Sequence, residues 1–169
     1  QVFWTKETED FVSRHGNDGV QEYFDQCCEQ IKDMVMLIRG GLNKAGRTKV
    51  GALAVIDVHA RDTMQKMHEN GVDTVEHFDW VSQMRYYWRP EGDDSGDLRV
   101  VMVRSDRPYG YEYLGNTMRL VITPLTDKCY MTLMGALQMI LGGAPAGPAG
   151  TGKTETTKDL AKALAKQCV

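Results

Sequence analysis

The chain has 169 residues, of which 42% are apolar and 25% charged, and its formal net charge is −3. It is long enough for one domain core or parts of two. Its small net charge gives no electrostatic basis for binding nucleic acid or an anionic membrane surface. With no signal peptide and no apolar run near the roughly 20 residues that span a bilayer, we expect a soluble, intracellular chain.

The cysteines and histidines show no pattern typical of a metal site. Cys27 and Cys28 are adjacent, no C-x-x-C pair occurs, and the remaining cysteines are Cys129 and Cys168. We therefore expect reduced thiols, which suit a cytosolic protein, and no zinc site.

Two amphipathic helices are predicted in the first 70 residues. Residues 1–19 are polar and interrupted by glycines, and they predict only a short helix. From Val20 to Ile38, apolar residues recur at steps of four and three, which predicts a helix ending at Gly40 and Gly41. A second pattern runs from about Leu42 to Asn70 and stops at Gly71.

The second helix contains a cluster of charged residues, Asp57-Val58-His59-Ala60-Arg61-Asp62. A helix places Asp57 and Arg61 one turn apart, where they can form an ion pair. Because no nucleophile or metal-ligand spacing accompanies the cluster, we interpret it as structural.

A third helix is predicted from Asp73 or Thr74 through Trp88, before Pro90. Its apolar face would carry residues such as Phe78 and Trp88, with further aromatic residues on other sides. Such a helix would be buried on more than one side.

Beyond residue 90 the composition changes. The acidic stretch 91–97 predicts a solvated turn. Strand patterns follow at 98–103, 109–113 and 119–122, and they predict a small antiparallel β element. Thr126 can cap a further helix over 127–141, which Gly142 and Gly143 would end.

The most specific motif lies near the end of the chain. Residues 147–154, GPAGTGKT, fit the pattern G-x-x-x-x-G-K-[ST] of a phosphate-binding P-loop. In such a loop, backbone N–H groups and the start of the following helix face the phosphates, Lys153 reaches the β and γ phosphates, and the Thr154 hydroxyl binds Mg²⁺. Strong helix formers from Lys153 to Gln167 supply the required helix.

A P-loop normally follows a buried strand, but the sequence before Gly147 is GGAPA, so any strand there must be short. An acidic Walker B strand and a group that orients the attacking water normally follow a P-loop. Neither is found before Val169, and we expect the chain to be part of a longer protein.

Several joined motifs resemble the dynein heavy chains. They are YEYLGN at 111–116, RLVITPLTD at 119–127 and GAPAGPAGTGKTETTKDL at 143–160, with WVSQMRYYW at 80–88 further upstream. The segments DVHARD at 57–62 and TETTKDL at 154–160 are similar to the axonemal branch of the family. Met118 stands where many relatives have proline.

This resemblance implies a mixed α and β fold. Residues 1–110 would be the mostly helical C-terminal part of the linker, ending near a small antiparallel β element. Residues 111–169 would be the opening, incomplete part of the first P-loop AAA+ α/β module. That module is the main ATP hydrolysis site of the family.

The resemblance also implies the site. ATP and Mg²⁺ would be the cofactors, Lys153 and Thr154 the catalytic residues, and Thr154 the Mg²⁺ ligand. The phosphate-binding residues would be Gly147, Pro148, Ala149, Gly150, Thr151, Gly152, Lys153, Thr154 and Glu155. The adenine would lie near Leu120, Val121, Ile122, Pro124 and Leu125.

As an intact heavy chain, such a protein would use ATP for minus-end-directed movement on microtubules in the axoneme of cilia and flagella. Its partners would be microtubules and dynein intermediate and light chains, with no nucleic acid or membrane. Two alternatives stay open at the level of sequence. One is another P-loop NTPase or kinase with a helical N-terminal domain, and the other is a helical interaction module that does not hydrolyse nucleotide.

Overall fold

The computed structural model describes residues 1–91, 95–115 and 119–168. Within them, no helix is long and apolar enough to cross a membrane. The chain forms two compact units, a helical unit (residues 6–80 and 115–121) and a sheet unit (residues 1–5, 81–114 and 122–169). The elements in chain order are α1 Val2–Arg39, α2 Lys44–Glu69, α3 Phe78–Val81, β1 Arg85–Glu91, β2 Ser95–Met102, β3 Ser105–Pro108, α4 Pro124–Gln138 and α5 Lys153–Ala163.

The helical unit is built on α1 and α2. Gly16 has non-helical backbone angles and divides α1 into two segments, so the lead-in is a longer helix than the sequence predicts. The second segment and α2 confirm the two predicted amphipathic helices. Their apolar residues at helical spacing form the core: Val12, Val20, Tyr23, Cys27 and Met34 on α1, and Ala60, Met64 and Met67 on α2.

Two buried aromatic side chains of this unit donate hydrogen bonds to carboxylates. The Tyr23 hydroxyl donates to Glu7 Oε2 at 2.8 Å, and Trp80 Nε1 donates to Glu9 Oε1 at 3.1 Å. Burial raises the pKa of Cys27 to about 12, so this thiol stays protonated at neutral pH. In the charged cluster, Arg61 Nε donates to its neighbour Asp62 at 2.9 Å, rather than pairing with Asp57 as the sequence suggests. Within the cluster, Ala60 is buried, Asp57 is half-buried and Asp62 is exposed.

The sheet unit contains a three-stranded antiparallel sheet in the order β1-β2-β3. Tyr86 is opposite Val100, and Met102 is opposite Ser105. The alternation along β2 places Val100 and Met102 in the core at 0% and 1% exposure. This sheet confirms the predicted antiparallel β element.

Helices α4 and α5 pack on the same core. Tyr130 and Met134 of α4 and Leu160 and Leu164 at the end of α5 are buried together with Tyr86, Val100 and Met102. Both helices were predicted from the sequence. Helix α4 begins three residues earlier than expected, because Thr123 rather than Thr126 caps it.

The capping box of α4 is reciprocal. The Thr123 side chain accepts from the Thr126 amide, and the Thr126 hydroxyl accepts from the Thr123 amide. Pro124 occupies the first turn, where a missing N–H costs nothing. These three residues fix where α4 starts.

The predicted third helix, from Asp73 or Thr74 to Trp88, is wrong. Only the four residues of α3 are helical, and residues 85–91 form β1 instead. Tyr86, Tyr87 and Trp88 are aromatic residues with strong strand preference, and pairing with β2 satisfies their backbone groups. The spacing of the apolar residues in this segment also fits a helix, but hydrogen bonding to β2 makes the segment a strand.

Two of the three predicted strands are also wrong. The pattern at 98–103 corresponds to β2, whereas residues 109–113 and 119–122 form no strand and the third strand is β3.

The predicted acidic turn at 91–97 includes residues 92–94, and Met118 is one of residues 116–118; these lie outside the described residues. Within the described residues, no strand lies directly before the glycine-rich loop, and residues 142–146 are exposed.

Residues after β3 connect to the end of α5. The Gly110 amide donates to Leu164 O at 2.8 Å, and the Glu112 amide donates to Ala165 O at 3.0 Å. A Cβ at Gly110 would lie only 2.3 Å from Ala165 O, which is backbone and cannot rotate away.

We expect Gly110→Ala to destabilise the protein by about 1–3 kcal/mol, since this close approach leaves no space for a methyl group. The matched control is Gly135→Ala in α4, where a Cβ meets nothing within 4 Å. That change should be neutral or stabilise by about 0.5–1 kcal/mol, because alanine favours helix. Urea unfolding of both variants measures the difference, and equal effects would contradict the close packing at Gly110.

Candidate functional site

The glycine-rich loop leads directly into α5. Gly152 is the N-cap of this helix and has left-handed backbone angles, φ 77° and ψ 14°, and Lys153 is the first helical residue. Residues 141–150 and also Thr151, Gly152 and Thr154 are exposed, whereas Lys153 is half-buried. The unpaired N–H groups at the start of α5 therefore open towards solvent beside the loop.

The Lys153 ammonium holds the loop together. Its Nζ donates to Gly147 O at 2.7 Å and to Pro148 O, and it lies 3.4 Å from Thr151 Oγ1. The Thr151 hydroxyl donates to Pro148 O at 2.9 Å. The structure thus brings together four of the predicted phosphate-binding residues around one positive charge.

Side chains in the first turns of α5 hydrogen-bond to its backbone. The Thr156 hydroxyl donates to Gly152 O at 3.0 Å, and the Thr157 hydroxyl donates to Lys153 O at 3.0 Å. Thr154 makes no such bond in the described structure, and it is exposed one residue after Lys153. Glu155 is exposed and its carboxylate lies 3.5 Å from Lys158 Nζ.

The rest of α5 is fixed in the core of the sheet unit. The Tyr130 hydroxyl of α4 donates to Asp159 Oδ2 at 2.8 Å, and both residues are only 2% exposed. The Tyr86 hydroxyl of β1 donates to Ala163 O at 2.9 Å. Helix α5 is therefore anchored at its middle and its end, while its start carries the loop.

This set of groups fits a polyphosphate with Mg²⁺. A lysine ammonium and a helix N-terminus both stabilise negative charge, and an ammonium binds charged phosphate oxygens more strongly than neutral carbonyls. The hydroxyl of Thr154 is a ligand type that Mg²⁺ accepts alongside phosphate oxygens. Within the described residues, no group of three or more His, Cys, Asp or Glu side chains could hold a metal ion by itself.

Of the five residues predicted to lie near the adenine, Pro124 and Leu125 form the start of α4. Val121 is 67% exposed and Leu125 is 71% exposed, so both present apolar surface. Leu120 and Val121 belong to the helical unit, and Ile122, Pro124 and Leu125 to the sheet unit. The role of these five residues towards a base stays a prediction.

The pairing of Tyr130 with Asp159 was not predicted from the sequence. One sequence feature could have predicted the burial of Asp159: it directly precedes Leu160, which lies on the buried face of α5. An acidic residue next to an apolar face can be buried when a tyrosine faces it.

Residues 109–169 match the family described as "Hydrolytic ATP binding site of dynein motor region". The chain is 55% identical over all of its 169 residues to dynein axonemal heavy chain 12 of Rattus norvegicus, covering 5% of that protein. It is 53% identical over 99% of its length to dynein axonemal heavy chain 3 of Homo sapiens, covering 4%. It is also 53% identical over its whole length to dynein axonemal heavy chain 1 of Homo sapiens, again covering 4%.

We expect Gly152→Ala to destabilise the loop and the start of α5 by about 1–2 kcal/mol, because its backbone is left-handed. Gly152→Asn should be milder, since asparagine tolerates this conformation better than alanine does. Urea unfolding compares the two variants. An alanine variant as stable as the wild type would contradict the left-handed N-cap.

Proposed function

The chain belongs to the axonemal dynein heavy chain family, and from that premise we propose that residues 147–154 bind the phosphates of ATP in a motor ATPase. The observation that carries this proposal is the loop around the Lys153 ammonium at the open N-terminus of α5. The ammonium and the helix N-terminus with its free amide groups both favour negative charge at this end of α5. Phosphate oxygens would replace the carbonyls of Gly147 and Pro148 as partners of Lys153.

We propose that Thr154 provides the protein ligand for Mg²⁺. Its hydroxyl is exposed and directly follows the lysine on the first turn of the helix. A bound Mg²⁺ supplies charge neutralisation at the β and γ phosphates. Exposed Glu155 adds negative charge on the same turn, and we assign it to the nucleotide-binding surface.

We propose that the adenine lies against residues 120–125. The apolar side chain of Leu125 in the first turn of α4 is exposed enough to contact a base, and ligand pockets combine such apolar surface with a few polar groups. The capping box of Thr123 holds the backbone there in one conformation. The base would then be recognised at the start of α4 and the phosphates at the start of α5.

For the longer protein, we propose that residues 1–110 are the end of the linker and residues 111–169 open the first AAA+ module. The heavy chain would hydrolyse ATP to move towards microtubule minus ends in the axoneme, together with intermediate and light chains. Family membership supports this role, because all three relatives described above are axonemal heavy chains.

Contacts at the end of α5 support a route from the nucleotide to the linker. The last turn of α5 is tied to β1 by the Tyr86 hydroxyl and to the segment after β3 by the amides of Gly110 and Glu112. At the other end of α4, the Asp106 amide of β3 donates to Gln138 Oε1 at 3.2 Å. A change in the position of either helix would therefore act directly on the sheet.

In the intact heavy chain, Lys153→Ala should abolish ATP-driven microtubule gliding, because the loop loses its only side-chain ammonium within 147–154. The control is Lys158→Ala on the same helix, an exposed lysine whose pair with Glu155 is solvated. It should glide at the wild-type speed. Normal gliding by the Lys153 variant would contradict the proposed site.

We expect the isolated 169-residue chain to bind ATP weakly or not at all and to be catalytically inactive. It contains the proposed phosphate loop, but residues 141–150 are exposed, so the described residues enclose little of a ligand there. Calorimetric titration with Mg-ATP measures the affinity. A dissociation constant in the low micromolar range would overturn this expectation.

A further inference from the structure

We propose that Tyr130 and Asp159 are positioning residues that align the two helices of the nucleotide site. Tyr130 lies in the middle of α4 and Asp159 in the middle of α5, and the tyrosine hydroxyl donates to Asp159 Oδ2 at 2.8 Å. This bond does not involve the loop residues 147–154. The pair would affect a nucleotide only by positioning α4 and α5, the helices to which Tyr130 and Asp159 belong.

The burial of this pair argues for a geometric role. Both side chains are 2% exposed and lie among the apolar residues of the sheet unit, including Met134 and Leu160. Burying a carboxylate is costly even when it is hydrogen-bonded, and an apolar pair of the same volume is often at least as stable. What a directional hydrogen bond adds over an apolar contact is a defined rotation and axial position for each helix.

Tyr130 and Asp159 lie at corresponding positions along α4 and α5. Asp159 follows Lys153 by six residues, or about 9 Å of helix, and Tyr130 follows Pro124 by the same number of residues. The bond therefore joins α4 and α5 at the same number of residues from their first turns. Together with the core packing of both helices, it limits how far the start of α4 can shift relative to the start of α5.

Such spacing matters when one ligand spans both helix starts. This inference rests on the proposed function, in which the adenine lies at residues 120–125 and the phosphates at 147–154. Misplacement of binding groups by about 1 Å can cost a large factor in binding or rate. A ligand that contacts only the phosphate loop does not require the alignment.

The experiment uses the intact heavy chain and compares Tyr130→Phe with Tyr23→Phe. Tyr23 is an exceptionally close control: it is also 2% exposed, and its hydroxyl donates to a carboxylate, that of Glu7, at the same distance of 2.8 Å. It belongs to the helical unit, away from α4 and α5 in the chain. Both variants lose one buried hydroxyl, so their thermal unfolding midpoints should fall by similar amounts.

The measurements are KM for ATP, kcat, and inhibition by inorganic tripolyphosphate, which has no base. Tyr130→Phe should raise KM for ATP by about fivefold to tenfold, from the loss of a buried hydrogen bond to a carboxylate, with kcat within about twofold. Inhibition by tripolyphosphate should be unchanged. Tyr23→Phe should leave all three values at the wild-type level, and Asp159→Asn, which keeps an oxygen acceptor for the hydroxyl, should resemble the wild type more closely than Asp159→Ala does.

A wild-type KM for ATP in Tyr130→Phe would overturn the inference, as would equal weakening of ATP and tripolyphosphate, because the pair would then act on the loop alone. Lys153→Ala in the same assays separates this result from failure of the proposed function. If Lys153→Ala removes activity while Tyr130→Phe behaves as the wild type, only the positioning role is wrong. If Lys153→Ala changes nothing, the phosphate site itself is wrong.

Discussion

Helix α5 has one buried end and one exposed end, and the candidate site depends on this difference. Leu160 and Leu164 are buried in the core of the sheet unit, and backbone bonds to Leu164 and Ala165 hold the chain just after the helix. At the other end, Gly152 and Thr154 are exposed. Because a helix is stiff over 11 residues, packing at one end determines where Lys153 and the free amides lie at the other.

The same core connects the loop to the sheet. Tyr86 contributes its ring to the core and its hydroxyl to Ala163 O, so a single residue of β1 contacts α5 in two ways. Val100 and Met102 of β2 pack against α4 and α5. A nucleotide-dependent movement of either helix would thus have to be accommodated by the strands that it covers, since close-packed interiors transmit displacement rather than absorb it.

Sequence patterns predicted the helices well where one apolar face decided the structure. The steps of three and four between Val20 and Met34 correspond to a buried stripe, and the loop motif correctly preceded a helix that begins at Lys153. The pattern failed at Tyr86 to Trp88, because spacing alone cannot distinguish a helix from a strand whose paired residues lie ten or more positions away. It also extended the predicted helix to residue 141, whereas α4 ends at Gln138 and Ile140 beyond it is 92% exposed.

The sequence predicted only those parts of the candidate site whose residues are adjacent in the chain. The loop residues are adjacent in sequence, so their motif could be read directly, and the capping residue Thr123 was close to the predicted Thr126. The bond between Tyr130 and Asp159 joins residues 29 apart, and no local pattern specifies it. Contacts of this kind depend on how α4 and α5 pack, which only the folded structure provides.

The central claim is that phosphates bind at the start of α5, and amide hydrogen exchange in the intact heavy chain tests it most directly. Peptides covering Gly150 to Thr154 should exchange more slowly when Mg-ATP is added, because phosphate oxygens would accept hydrogen bonds from these amides. Peptides from α2 serve as the internal reference. Protection of the loop peptides that is lost in Lys153→Ala is the predicted result, and loop amides that exchange at the same rate with and without Mg-ATP would contradict the account.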